Sequence, residues 1–287
     1  MKNKHKVATC VWCGNKGKKV FHAQILWEDL NSSWYKCSAC ESLMILPRPP
    51  KEVIRKVYEN DYLNKRLQPH PGVDCRIRYS KEYRPTVFAE YAMSLQDIEI
   101  KKKDVKSILD FGCADGVFLE FCKDYFGSKT KLYGTDLSEG MLDQARKNGW
   151  NVFPLKDIST IKMKFDLITL WDVIEHVEDP TAVIEMLKKL LTPKGRIFLE
   201  TPRFGILGEL YGNNWPHLLP VQHLSMASKV GMERLAKRTG LVIDKYCSFG
   251  SNTPGTIVPQ PYKRVFDQTA KRLGFGDVQI LSLKRKI

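Results

Sequence analysis

The chain has 287 residues, ordinary apolar content and a formal charge of +14, enough for one sizeable core plus a small accessory module. No apolar run approaches the roughly 20 residues that span a bilayer, and the basic start Met1-Lys-Asn-Lys-His-Lys has no apolar signal core behind it, which argues against export. The charge excess is +5 over 1–50 (eight basic, three acidic), +4 over 51–106, zero over 107–250 and +5 over 251–287. A neutral centre with basic flanks fits either a solvated surface or a site for a phosphorylated or polyanionic partner.

The first predicted unit holds two Cys-x-x-Cys pairs, Cys10/Cys13 and Cys37/Cys40, 23 residues apart. Two such knuckles can bring four thiolates to one tetrahedral Zn²⁺, coordinatively closed and therefore structural. Disulfides or redox dithiols are the alternative. Lys19–Trp27 and Ser33–Lys36 read as strands of a small zinc ribbon over 1–50. Eight cysteines without an export signal imply a reducing, cytoplasmic compartment. Pro47-Arg-Pro-Pro50 ends the ribbon, and 51–64 has helical periodicity. Pro69, Pro71, Gly72 and Pro85 interrupt the next stretch, and a helix is predicted over Thr86–Ile100. Residues 51–100 thus form a helical linker or lid.

The third unit, 101–287, opens with the stretch around which the chain is organised. Ile108, Leu109 and Phe111 make a buried strand, and Gly112 and Gly116 form a tight turn before a helix that starts at Val117. A second strand, Lys131–Thr135, leads to Asp136, 24 residues after Gly112. An acid there can accept hydrogen bonds from both hydroxyls of an adenosine ribose. The turn reads Asp-x-Gly-x-Ala-x-Gly, and Asp110 before the first glycine suits an ammonium group better than a pyrophosphate.

At Asp110, Gly112, Ala114, Gly116 and Asp136 the chain resembles the class I methyltransferases that use S-adenosylmethionine (SAM), with Ala114 where many members have glycine. The four-cysteine ribbon, Pro47-Arg-Pro and Tyr58…Asp61-Tyr62 resemble a subset with a zinc ribbon before the catalytic domain. The resemblance implies an α/β fold with a seven-stranded Rossmann-like sheet and helices on both faces. It also implies adenine contacts from Asp157 and the Ile158 amide, with Leu137 and Trp171 completing the cofactor set. Asp157 as a simple loop cap is the alternative. Tyr62 and Tyr79 are either acceptor contacts or packing aromatics.

Further strands are predicted at Asn151–Phe153, Phe165–Trp171, Arg196–Thr201, Leu241–Ser248 and 276–284, the last antiparallel. Ser138 and Asp179 are expected helix caps, with Pro180 at the first helical position, and Ser225 is expected to cap a helix ending near Gly240. Ligands of open α/β sheets bind beyond the strand C-termini. His176 follows the fourth strand there, and His223 ends a long insertion, 202–224, after the fifth. Both are candidate general bases for removing a proton from an acceptor; local packing and loop anchoring are the alternatives. Asp172, Glu175 and His176 have the spacing of a helical face that could hold metal. A similar pattern occurs in ubiquinone-type O-methyltransferases, some Mg²⁺-dependent, and in relatives not known to need metal, so catalytic Mg²⁺ is not expected. The predicted function is methyl transfer to a hydroxylated small molecule, such as a sugar or polysaccharide precursor, at O or C. The alternative is an RNA methyltransferase whose basic ribbon docks nucleic acid, with Trp12, Trp27, Trp34 and Tyr35 to stack on bases.

Overall fold

A computed structural model describes residues 9–16, 19–24, 32–56, 80–219, 221–250 and 262–286. Trp27, Tyr58, Asp61, Tyr62, Cys75 and Tyr79 lie outside them.

The larger sheet has seven strands: β4 (Ser107–Phe111), β5 (Lys131–Asp136), β6 (Val152–Pro154), β7 (Phe165–Trp171), β8 (Leu191–Pro202), β10 (Leu241–Phe249) and β11 (Val278–Arg285). Their order is β10-β11-β8-β7-β4-β5-β6, and β11 is antiparallel to both of its neighbours. The expected α/β architecture is therefore present. Central strands of such a sheet are covered on both faces, and β7 accordingly buries Phe165, Leu167, Ile168 and Leu170 completely. β8 starts five residues earlier than predicted, because Pro193-Lys-Gly195 lies within an irregular stretch of pairing where Phe165 meets Leu191 but Leu167 meets Arg196.

Helices close both faces. On one side α2 (Arg84–Asp97) and α3 (Val117–Tyr125) pack Leu95, Phe118 and Phe121 against Ile108, Leu167, Phe198 and Ile280. Pro85 falls in the first turn of α2, where its missing N–H costs nothing. α4 (Glu139–Lys147) is capped as expected by Ser138, whose hydroxyl accepts from the Met141 amide at 3.4 Å. On the other side α5 (Pro180–Lys189) is capped by Asp179, which accepts from Thr181 and Ala182 at 2.9 and 3.1 Å. The described residues also form the short helices α1 (Lys51–Lys56) and α6 (Ile206–Tyr211) and the C-terminal α8 (Tyr262–Leu273).

One expected cap is corrected. Ser228, not Ser225, accepts from Gly231 (2.9 Å) at the start of α7 (Lys229–Arg238). Ser225 instead sits in β9 (Ser225–Met226), which pairs with the ribbon. That second sheet runs β1 (Lys19–Gln24), β2 (Ser33–Cys37), β3 (Leu43–Leu46), β9. Trp34, Leu43 and Ile45 pack on Phe204 and Trp215 of the insertion and on Met226 of β9. The first Cys-x-x-Cys knuckle is docked as well: Arg238 donates to the carbonyls of Val11 and Trp12 at 2.8 and 3.2 Å. Among the described residues no helix is long and apolar enough to cross a membrane.

Candidate functional site

The turn after β4 is held by the neighbouring strand, since the Gly112 and Cys113 amides both donate to the Thr135 carbonyl (2.8 and 3.1 Å). Gly112 has φ +84°, and a Cβ there would come within 2.5 Å of Val173. The turn after β7, which leads to His176, therefore packs directly on this loop. Gly116 is equally constrained, with φ +92° and Trp150 lying 2.4 Å from where its Cβ would be. Between them Ala114 has φ +46°, the left-handed region that costs a side-chain-bearing residue about 1–2 kcal/mol.

Asp136 ties this turn to the start of α4: one oxygen accepts from the Ala114 amide at 2.9 Å, the other from the Ser138 amide at 2.8 Å. Burial raises its pKa in spite of those bonds. Asp110 is 3% exposed and accepts from the Thr169 hydroxyl at 2.8 Å. Burial pushes its pKa up to about 7, so an arriving cation would find a carboxyl ready to ionise. Leu137, beside Asp136, is 73% exposed, an apolar surface next to the loop. Asp157 and Ile158 lie in a 3-10 turn, Leu155–Thr160, after β6, with Asp157 half-buried and Ile158 buried. Trp171 points its ring into the aromatic cluster of Tyr91, Phe118 and Phe198, with centroid distances of 4.5, 5.0 and 4.3 Å.

The expected face of Asp172, Glu175 and His176 is not formed as a helix. Asp172 has φ +49° and is exposed, and the following 3-10 turn covers only Ile174–His176. His223 takes part instead: Glu175, His176 and His223 place one potential ligand atom each within 4.8 Å of one another. The two imidazole rings meet edge to face with centroids 4.8 Å apart. His176 Nδ1 lies 2.7 Å from the Gln222 carbonyl, and His223 Nδ1 2.7 Å from the His217 carbonyl. A carbonyl can only accept, so both rings carry their proton on Nδ1, and in the neutral form the basic lone pair is on Nε2.

Burial lowers the pKa of His176 to about 4, with hydrogen bonds to the Gln222 and Asp172 backbone opposing the shift. Glu175 is raised well above a normal carboxyl, first by burial and then by the Asp172 charge. Its Oε2 accepts from the Thr201 hydroxyl at 3.0 Å. At neutral pH His176 is therefore uncharged.

The four cysteines converge: Cys10 and Cys40 sulfurs are 3.6 Å apart, Cys13 and Cys37 3.7 Å, and all four lie within 4.8 Å of one another. Thiolates about 2.3 Å from one tetrahedral Zn²⁺ would be about 3.8 Å apart, so the residues fit such an ion.

Sequence reasoning missed several supporting groups. Glu200, near the end of β8, accepts from Ser94 of α2 at 3.1 Å; an acid directly after the apolar run Ile197-Phe-Leu199 was the available signal. Asp277 is buried beneath the insertion, with Trp215 Nε1 at 3.4 Å and His217 Nε2 at 3.7 Å. Nothing in its local sequence distinguishes it from a turn residue.

A family profile described as "Methyltransferase domain" matches residues 82–246, more than half of the chain. The chain belongs to this methyltransferase family. It is 31% identical over 124 residues to a ubiquinone biosynthesis O-methyltransferase of Coxiella burnetii, covering 40% of this chain and 50% of that protein. A namesake from Hydrogenovibrio crunogenus is 31% identical over 121 residues, 39% of this chain and 47% of that one. The chain thus spans about half the length of the curated relatives it matches. Among solved structures, a chain of the complex between the Haloferax volcanii Trm112 methyltransferase activator and a methyltransferase superposes with TM-score 0.54 at 15% identity, over 75% of this chain and 96% of that one. Magnesium protoporphyrin IX methyltransferase from Synechocystis superposes with TM-score 0.52 at 15% identity, over 83% and 100%. These structures share the fold of this chain.

Proposed function

We propose that this methyltransferase transfers a methyl group from SAM to a hydroxylated small molecule. The observation that carries the reading is the histidine pair: His176 and His223 come from the loops after two adjacent strands and meet edge to face, and the His176 turn packs on the Gly112 turn through Val173. In the proposed cofactor site Asp110 faces the ammonium of the methionine moiety, and Asp136 takes the ribose. The backbone of Gly112, Ala114 and Gly116 leaves room for the cofactor. Leu137, Asp157, Ile158 and Trp171 border the adenine and the thioether end. SAM supplies an electrophilic methyl on a sulfonium. The protein's part is to align an acceptor oxygen in line with that methyl and take its proton. His223 Nε2 is the proposed proton acceptor, with His176 beside it. As the new bond to carbon forms, the bond to sulfur breaks, and its electron pair stays on the thioether product. The ubiquinone O-methyltransferases among the relatives support transfer to oxygen on a small molecule, and a sugar or polysaccharide precursor remains within the proposed class.

Cys10, Cys13, Cys37 and Cys40 are proposed to hold one structural Zn²⁺, with ribbon (1–50), helical linker (51–100) and catalytic domain (101–287) as the working division. The RNA alternative wants exposed ribbon aromatics, and Trp12 and Trp34 are 0% and 1% exposed, which removes both as stacking platforms. The test is incubation with isotopically labelled SAM, offering hydroxylated small molecules and total RNA side by side. Label in the small-molecule fraction supports the reading, and label confined to RNA refutes it.

A further inference from the structure

The four cysteines and the two histidines are chemically unrelated, yet buried hydrogen bonds and two paired strands connect the segments that carry them. Ser42, two residues past Cys40, has a fully buried hydroxyl within 3.4 Å of the Cys40 sulfur. The same hydroxyl accepts from the Ser228 amide at 3.0 Å. Ser228 in turn donates its hydroxyl to the Cys40 carbonyl while accepting from the Gly231 amide. The fit is close: a Cβ on Gly231 would come within 2.1 Å of the Ser42 hydroxyl oxygen.

From this junction the contact runs along two paired strands. Leu43 lies opposite Met226, and Met44 opposite Ser225. The Ile45 amide donates to the Leu224 carbonyl at 3.1 Å, and the Leu224 amide donates to the Glu175 carbonyl at 2.9 Å. Leu224 is thus held between the ribbon on one edge and the His176 turn on the other. Its neighbour His223 is the proposed base, and Gln222 provides the carbonyl that orients His176. A displacement of β3 would be felt at both imidazoles through two hydrogen bonds, whereas the hydrogen bonds that shape the Gly112 turn run to Thr135 and Asp136, and the His176 segment touches that turn through the Val173 side chain.

We propose that Ser42 and Ser228 are positioning residues that couple the four-cysteine centre to the histidine pair, so that metal occupancy sets acceptor-side chemistry while leaving SAM binding alone. The proposal rests on the zinc and histidine readings above. Orbital overlap at a reacting methyl is sensitive to small misplacements, so a modest shift of His223 is enough. Loss of the metal, by chelation or by thiol oxidation, would then disable transfer without emptying the cofactor site.

The test uses the full chain with Ser42→Ala, and with Ser228→Asp, which can still cap α7 but has no proton to give the Cys40 carbonyl. Zinc content, SAM affinity by calorimetry, turnover and the ¹⁵N signals of the histidine side chains are measured on each. The expected result is zinc retained, SAM affinity within about twofold, turnover lowered roughly tenfold, and altered Nδ1–H signals for His176 and His223. Removing zinc from the wild-type protein should alter the same two signals. Unchanged histidine signals in both variants overturn the proposal. So does a loss of SAM affinity in step with turnover, since general loosening would then suffice. If His223→Ala remains active while the histidine signals still respond to Ser42→Ala, the base assignment fails and the coupling stands.

Discussion

With Asp110 placed against the cofactor's ammonium as proposed, SAM binding should weaken as pH falls. The unliganded carboxyl is 3% exposed, and burial raises its pKa to about 7. A bound ammonium would favour the ionised form and pull the pKa back toward the ordinary value near ~3.9. The group is thus raised in the free protein and lowered in the complex, so binding releases a proton below about pH 7. Affinity is complete above that pH and falls as pH drops. Lowering the pH from about 7 to about 5.5 should weaken binding by about tenfold, or ~1.4 kcal/mol. His176, lowered to about 4, stays neutral over this window and does not contribute. Isothermal titration calorimetry at both pH values, in buffers of different ionisation heat, reads the affinity and the released proton together. Asp110→Asn should bind more weakly at the higher pH and lose most of the buffer-dependent heat. Equal affinity at both pH values with no proton release would refute the placement of Asp110 against the cofactor's ammonium.

Other outcomes rest on the same geometry. Asp136→Ala should weaken SAM binding by about 10- to 100-fold, the loss of a charge-assisted hydrogen bond worth roughly 1.5–3 kcal/mol, with some thermal stability lost because the Ala114 and Ser138 amides lose their acceptor; calorimetry and a melting curve separate the two effects. Metal analysis of protein purified without chelator should find close to one zinc per chain, and disulfides among Cys10, Cys13, Cys37 and Cys40 under reducing conditions would sink the zinc assignment. Ala114→Gly should raise stability by up to about 1 kcal/mol, because Ala114 sits at φ +46°; denaturant unfolding measures it, and destabilisation would show that the methyl is needed for packing.

The parts legible from sequence were those governed by local rules. β7 runs from Phe165 to Trp171 as expected, because a short, mostly apolar segment of Phe, Leu, Ile and Trp ended by Asp172 leaves little choice. Asp179 with Pro180 fixes the start of α5 through two neighbouring residues. Ser225 and Ser228 show where local rules stop. Both are plausible caps three residues apart, and pairing of Ser225 with Met44, 181 positions earlier in the chain, decides between them. His176 and His223 were legible as residues at the open end of the sheet, but their meeting depends on how the insertion folds back over Asp277 and against the ribbon. Ser42 and Ser228 carry no motif at all. Their importance comes from burial between a knuckle and a helix start, which composition and periodicity do not encode.

The most direct test of histidine-assisted methyl transfer is the turnover of His223→Ala, measured together with its SAM affinity. The account predicts turnover lowered by roughly 10²–10⁴-fold with SAM affinity nearly unchanged, because His223 is tied to the His217 carbonyl and stands outside the contacts that shape the Gly112 turn. Full activity in His223→Ala would contradict it.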